Sequence, residues 1–225
     1  NEAGCALVGG HTGEGRELAL GFAVNGLIDP DDVMSKGGLR AGDVLLLTKP
    51  IGTGTLFAAH AKLAAKGRWI DSALASMMQS NKDAAQCLRR YGSRACTDVT
   101  GFGLLGHLVE MTRPSGVDAE LDLTAIPILP GAEETAAAGI LSSLQPANIR
   151  LRRGIRDQEK WVNHPRYPLI FDPQTAGGLL ASVPADQADA CISELKAMGY
   201  PHTAIIGRVL PQDESGPIEP ITLRD

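Results

Sequence analysis

The stretch Thr97-Asp98-Val99-Thr100-Gly101-Phe102-Gly103 places a carboxylate just ahead of two glycines. Carboxylate oxygens are hard donors that suit magnesium, the usual companion of nucleotide phosphates. Cys96 ends a short apolar run that reads as a strand. From Leu104 the apolar residues Leu105, Leu108, Val109 and Met111 recur at helical spacing. The pattern is strand, acidic turn, helix. A helix start offers unpaired N–H groups and a partial positive charge, which attract phosphate. The same spacing also fits a plain turn, with Asp98 as the helix cap and the glycines shaping the loop.

Three further stretches are rich in loop-forming residues, and two of them have the composition of ligand loops. Gly9-Gly10-His11-Thr12 follows the apolar run Cys5–Val8, and its missing side chains let a ligand approach the main chain. A plain hairpin loop is the alternative. Leu47-Thr48-Lys49-Pro50-Ile51-Gly52-Thr53-Gly54 resembles a phosphate loop but lacks the Gly-Lys-Ser/Thr ending of a P-loop. Lys49 could contact phosphate or pair with a carboxylate on the surface. In Asp172-Pro173-Gln174-Thr175-Ala176-Gly177-Gly178, Pro173 and the glycines suit a fixed loop, with no chemical role readable from the residues themselves. Arg150, Arg152, Arg153, Arg156 and Lys160 form a basic loop that reads as solvated surface, with an anionic ligand as the alternative.

These stretches need a frame. The 225 residues are 44% apolar, enough for a sizeable core in one or two domains. A net charge of −5 argues against a nucleic-acid surface, which needs a basic patch. No apolar run reaches the roughly 18 residues of a membrane span. Cys5, Cys87, Cys96 and Cys191 form no C-x-x-C pair, which argues against zinc ribbons and thioredoxin-like motifs. A cytoplasmic protein is expected.

Strands are expected over 5–8, 18–28 (apolar on both faces), 44–48, 117–123, 179–183, 204–209 and, more weakly, 218–223. Helices are expected from Thr55 to about Ala65, ended by Gly67, from about Asp71 to Arg90 as one unit, over 133–138 and over 184–198. The alternation gives an α/β (α+β) fold. A domain junction is expected near Ser35, dividing 1–34 from 35–225. His60, His164 and His202 read as structural or exposed.

The run Thr97–His107 is similar to the signature of the selenophosphate synthetase family. Gly9–Thr12, Leu47–Gly54 and Asp172–Leu180 agree with that family in order. The resemblance covers nearly all of the chain. It implies the aminoimidazole ribonucleotide synthetase-like fold: 1–34 would be the end of an N-terminal ATP-binding domain, and 35–225 a mixed-sheet C-terminal domain. It implies conversion of ATP, selenide and water into selenophosphate, AMP and phosphate, with magnesium. By resemblance, Gly9, Gly10, His11, Thr12 and Lys49 bind ATP. Asp98 holds the metal, and Thr97, Thr100, Gly101, Gly103 and Asp172 support the site. The resemblance also implies a homodimer through N-terminal strands. The family's Cys/Sec-x-Lys segment and further metal aspartates have no counterpart here, so no catalytic residue is assigned and the chain alone is expected to be inactive. The alternatives are a related ATP-dependent synthetase with another substrate, or a non-catalytic module of the same fold.

Overall fold

A computed structural model describes residues 4–213 and 219–225. The chain divides into two compact units, at Asn1–Val33 and Met34–Asp225. The expected strand beginning at Ile218 starts outside the described residues.

In the first unit the expected strands over 5–8 and 18–28 do not form. Among its described residues the one regular element is a 3-10 turn, Pro30–Asp32, beside which Asp31 N–H donates to Asp29 Oδ1 at 3.0 Å. Leu18 is 98% exposed and Phe22 75%. An apolar run can prefer extended backbone, but a strand exists only where a neighbour takes its main-chain hydrogen bonds. Among the described residues none pairs with 5–28.

The second unit is built on a six-stranded mixed sheet. Its strands are β1 (Val44–Leu47), β2 (Cys96–Asp98), β3 (Val117–Asp122), β4 (Leu179–Val183), β5 (Ala204–Pro211) and β6 (Ile221–Arg224). Their spatial order is β2-β4-β1-β5-β3-β6, and every neighbouring pair is antiparallel except β3 and β6. Side chains alternate across a pleated strand. Leu45 and Leu47 of β1 and Leu180 of β4 therefore enter one core, while Leu46, Leu179, Ala181 and Val183 enter another. The first core packs under α1 (Thr53–Ala61), α2 (Gly67–Met78), α4 (Gly103–Ser115) and the short α5 (Ala132–Ala137). The second packs under α3 (Lys82–Arg90) and α7 (Ala188–Ala197). Burial on both faces explains why β1 and β4 read as continuous apolar runs.

Two helical expectations change. The single helix over 71–90 is two helices, α2 and α3, separated at Gln79-Ser80-Asn81. Gly67 starts α2 instead of ending α1; the left-handed residue after α1 is Leu63, at φ 57°. Residues 142–171 fold into short helical turns, including α6 (Gln145–Asn148).

Candidate functional site

Topology brings three of the four singled-out stretches together. Strand β4 lies between β1 and β2 and runs antiparallel to both, with Leu47 opposite Leu180 and Asp98 opposite Leu179. The segment entering β4, residues 172–178, must therefore meet the segments leaving β1 and β2. The result is one end of the sheet made of turn 48–54, turn 97–103 and loop 172–178.

Loop 172–178 closes the start of α1. Gln174 Oε1 accepts from Gly52 N–H at 2.9 Å, Thr53 N–H at 3.1 Å and Thr53 Oγ1 at 3.1 Å. The Asp172 carboxylate accepts from the N–H groups of Gly54 and Thr55 and from Thr55 Oγ1 at 2.8 Å. Gln174 Nε2 donates back to Asp172 Oδ2 at 3.0 Å. A helix start leaves its first N–H groups unpaired, and here the four from Gly52 to Thr55 are all taken. Turn 48–54 is thus not an open phosphate loop. Close approach requires its glycines: a Cβ at Gly54 would lie 2.5 Å from the Pro173 carbonyl oxygen, and Gly52 adopts φ +127°. Asp172 is fully buried, and burial pushes its pKa up to about 6 against the hydrogen bonds that favour its charge.

Lys49 meets neither sequence expectation. Its side chain is buried, and Nζ donates to the carbonyls of Ser76 (3.2 Å), Gln79 (2.7 Å) and Ala176 (3.1 Å). The ammonium faces main-chain oxygens inside the fold, and among the described residues no surface carboxylate pairs with it.

Turn 97–103 is bound to the same loop but stays open to solvent. Val99 N–H donates to Gly178 O at 2.8 Å, and Gln174 N–H to Thr100 O at 3.0 Å. Thr97 and Val99 are buried while Asp98 between them, at the end of edge strand β2, is exposed. Gly101 is exposed and Phe102 is 54% exposed. Gly103, at φ +71°, is buried, and a Cβ there would lie 2.8 Å from the Phe171 carbonyl carbon. The turn therefore presents a carboxylate, a short piece of main chain and an aromatic ring, with the helix start itself covered.

The turn is held from behind by two residues that sequence reasoning left without a role. His107, one helical turn into α4, accepts from Thr100 N–H through Nε2 at 3.0 Å. Burial lowers its pKa, so the neutral ring can serve as that acceptor. Nδ1 then carries the proton and faces Glu110 Oε2 at 3.3 Å. Asn148 Nδ2 donates to Gly101 O at 2.7 Å and Phe171 O at 3.1 Å. No spacing rule marks Asn148 or Gln174, because their partners are distant in sequence.

A cavity of about 680 Å³ opens beside these loops, with Phe57 of α1, Lys62 just past its end, Gly101, Leu144 and Pro173–Thr175 among its walls. Magnesium often takes one or two protein carboxylates, with phosphates and waters completing its shell. Among the described residues no group of three His, Cys, Asp or Glu side chains could hold a metal. The exposed Asp98 fits one ligand position for an ion carried on a polyphosphate, not an all-protein cage. The remaining ATP-binding candidates, Gly9 to Thr12, lie in the first unit, where all four are exposed and a Cβ on Gly9 or Gly10 would touch nothing.

Residues 40–218 match the AIR synthase related protein, C-terminal domain. The chain belongs to this family. Within it, the chain is 39% identical over 216 residues to selenide, water dikinase 2 of Peptoclostridium acidaminophilum, covering 95% of the chain and 61% of that protein. It is 42% identical over 206 residues to selenide, water dikinase of Nitratidesulfovibrio vulgaris strain Miyazaki F, covering 89% of the chain and 57% of the relative. The chain thus spans about three fifths of the length of these curated relatives. Hydrogenase maturation protein HypE in complex with ATP shares the fold, with a TM-score of 0.63 at 18% identity over 87% of this chain and 51% of that one. Thiamine-monophosphate kinase of Stenotrophomonas maltophilia does so at 0.60 and 17%, over 87% and 54%. The aminoimidazole ribonucleotide synthetase-like fold read from the signature stretches is the observed one, and no described helix is long and apolar enough to cross a membrane.

Proposed function

We propose that this chain is the C-terminal portion of a selenide, water dikinase, which makes selenophosphate, AMP and phosphate from ATP, selenide and water in the cytoplasm. One observation carries the reading: turn 97–103, at the centre of the family-like signature, holds its carboxylate out to solvent while its backbone is fastened on the inner side. Two phosphoanhydride bonds break in this reaction, so catalysis rests on positioning and charge neutralisation. Magnesium, when bound with ATP, supplies that neutralisation. Asp98 offers it one oxygen. Thr97, Thr100, Gly101 and Gly103 hold the turn that presents Asp98, and Asp172 supports it through loop 172–178. Gly9, Gly10, His11 and Thr12 bind ATP, as the tail of an N-terminal ATP-binding domain over 1–34. The chain by itself turns over no ATP, because the reaction wants several carboxylates around its metal and among the described residues no group of three His, Cys, Asp or Glu side chains could hold one.

The test is Asp98→Ala in the full-length enzyme. ATP consumption should fall at least about 100-fold, the scale of losing a charge-stabilising group, with an unchanged melting temperature. Near wild-type turnover by the folded variant would remove Asp98 from the site.

Association follows from the first unit. Leu7, Val8, Leu18, Leu20, Phe22, Val24, Leu27 and Ile28 are exposed together, a surface that favours burial against another chain. Pairing through residues 5–28 gives a homodimer. Light scattering should find the 225-residue chain associated and a chain beginning at Ser35 monomeric; the same mass for both would exclude this route.

A further inference from the structure

Lys49 is among the largest side chains that are fully buried, and its environment is specific. Ser76 and Gln79 lie at the C-terminal end of α2, where carbonyls have no helical N–H to accept and carry partial negative charge. The third acceptor, Ala176, is a non-glycine residue in the left-handed region, at φ 49°. The ammonium has three N–H groups, and each has a carbonyl. Burial pulls the lysine pKa down, so these acceptors oppose the loss of its charge.

The residues around Ala176 connect it to everything the site is made of. Before it, Thr175 N–H donates to Thr53 Oγ1 at 3.0 Å. After it, Gly177 O accepts from Asn81 Nδ2 at 2.9 Å, and Gly178 O accepts from Val99 N–H at 2.8 Å. A Cβ at Gly177 would lie 2.1 Å from Val99 O, and one at Gly178 would lie 2.5 Å from Lys49 N. Loop 172–178 therefore passes between both turns with no slack, and its left-handed bend is what the ammonium grips. We propose that Lys49 is a positioning residue: its ammonium, enclosed by the carbonyls of Ser76, Gln79 and Ala176, is a built-in cation that holds loop 172–178 in the bend from which it braces both turn 48–54 and turn 97–103. The reading rests on the proposed synthetase function only in making turn 97–103 the part that matters. A corollary is chemical: removing the side chain should leave a carbonyl-lined site for a small ammonium ion.

The experiment uses the 225-residue chain and no turnover, so it can fail independently of the synthetase assignment. Amide hydrogen exchange is followed in wild type, Lys49→Met and Lys49→Ala. Both variants should exchange at least 10-fold faster at Thr175 to Leu179 and at Val99, with β3 and β5 unchanged. Methylammonium chloride should restore protection to Lys49→Ala, and tetramethylammonium chloride, which has no N–H, should not. Wild-type protection in Lys49→Met would overturn the proposal, as would equal effects of the two salts. Should both variants fail to fold, nitrogen-15 lysine spectra of wild type decide: one slowly exchanging ammonium at neutral pH, coupled to the Ala176 carbonyl, is expected, and its absence refutes the cage.

Discussion

Turn 48–54 and turn 97–103 both carry a strand into a helix through glycines, and both read as phosphate-binding stretches. The structure treats them differently. At the first, loop 172–178 supplies Gln174 and Asp172 to the four N–H groups at the head of α1. At the second, the same loop takes one main-chain hydrogen bond from Val99 and gives one to Thr100, and Asp98, Gly101 and Phe102 face solvent. One turn is an internal joint and the other an open surface. Glycine spacing is shared by both, so it cannot tell a ligand loop from a close-packed joint; the group opposite the glycines decides.

The difference can be broken most severely at Gln174. Gln174→Leu strands the Gly52 and Thr53 N–H groups and the Thr53 hydroxyl. At about 1–3 kcal/mol for each of these three buried groups left unsatisfied, the loss in urea unfolding should be at least about 3 kcal/mol. Asp98→Ala, at the open turn, should stay within about 0.5 kcal/mol. Equal losses would mean the two turns are packed alike.

A pH series sharpens the contrast next. Asp172 has a folded pKa of about 6 against an ordinary 3.8, so the folded protein holds this proton more tightly than the unfolded chain. Its contribution is fully present below pH 3.8 and is lost as pH rises through 6. At about 1.4 kcal/mol per pKa unit, the fall is on the order of 3 kcal/mol. Asp172→Asn should flatten unfolding free energy against pH in that window; an identical slope in both proteins would show that Asp172 is not the group responsible.

The smallest expected effect is at the glycines. A Cβ at Gly54 meets Pro173 O and Asp172 Oδ1, whereas one at Gly101 meets nothing within 4 Å. Gly54→Ala should cost roughly 1–3 kcal/mol, the scale of overpacking, and Gly101→Ala within about 0.5 kcal/mol. Calorimetric melting of both would suffice, and a reversed order would contradict the packing described.

Much of the frame was legible because its signals are local. β1, β3, β4 and β5 lie within a residue or two of the runs that predict them, since burial on one or both faces leaves a readable pattern. The break between α2 and α3 was not legible. Gln79-Ser80-Asn81 contains no glycine or proline, and the residues that use the break, Lys49 and Tyr200, come from elsewhere in the chain. Strands over 5–28 were misread for a related reason: apolar content reports a preference, while pairing needs a partner. Asp98 was legible as a carboxylate between a strand and two glycines, because that spacing is local, while its exposure at the end of β2 was not. Gln174, Asn148 and the burial of Lys49 depend on strand order, which no window of sequence contains.

That strand order has a consequence for how the protein comes into being. No strand of the sheet pairs with the next one in the chain. The apolar β1 waits for β4, since Leu47 finds Leu180, and for β5 later still. A ribosome adds about 5–20 residues per second, so β1 emerges on the order of ten seconds before its first neighbour exists. Through that interval Leu45, Leu46 and Leu47 have neither a ladder nor a core. Sheets closed by such distant pairings fold slowly and expose sticky edges on the way. The nascent chain is thus a natural client for chaperones that shield apolar strands, and β5 and β6, made after the other strands of this sheet, set the moment at which the whole sheet can close.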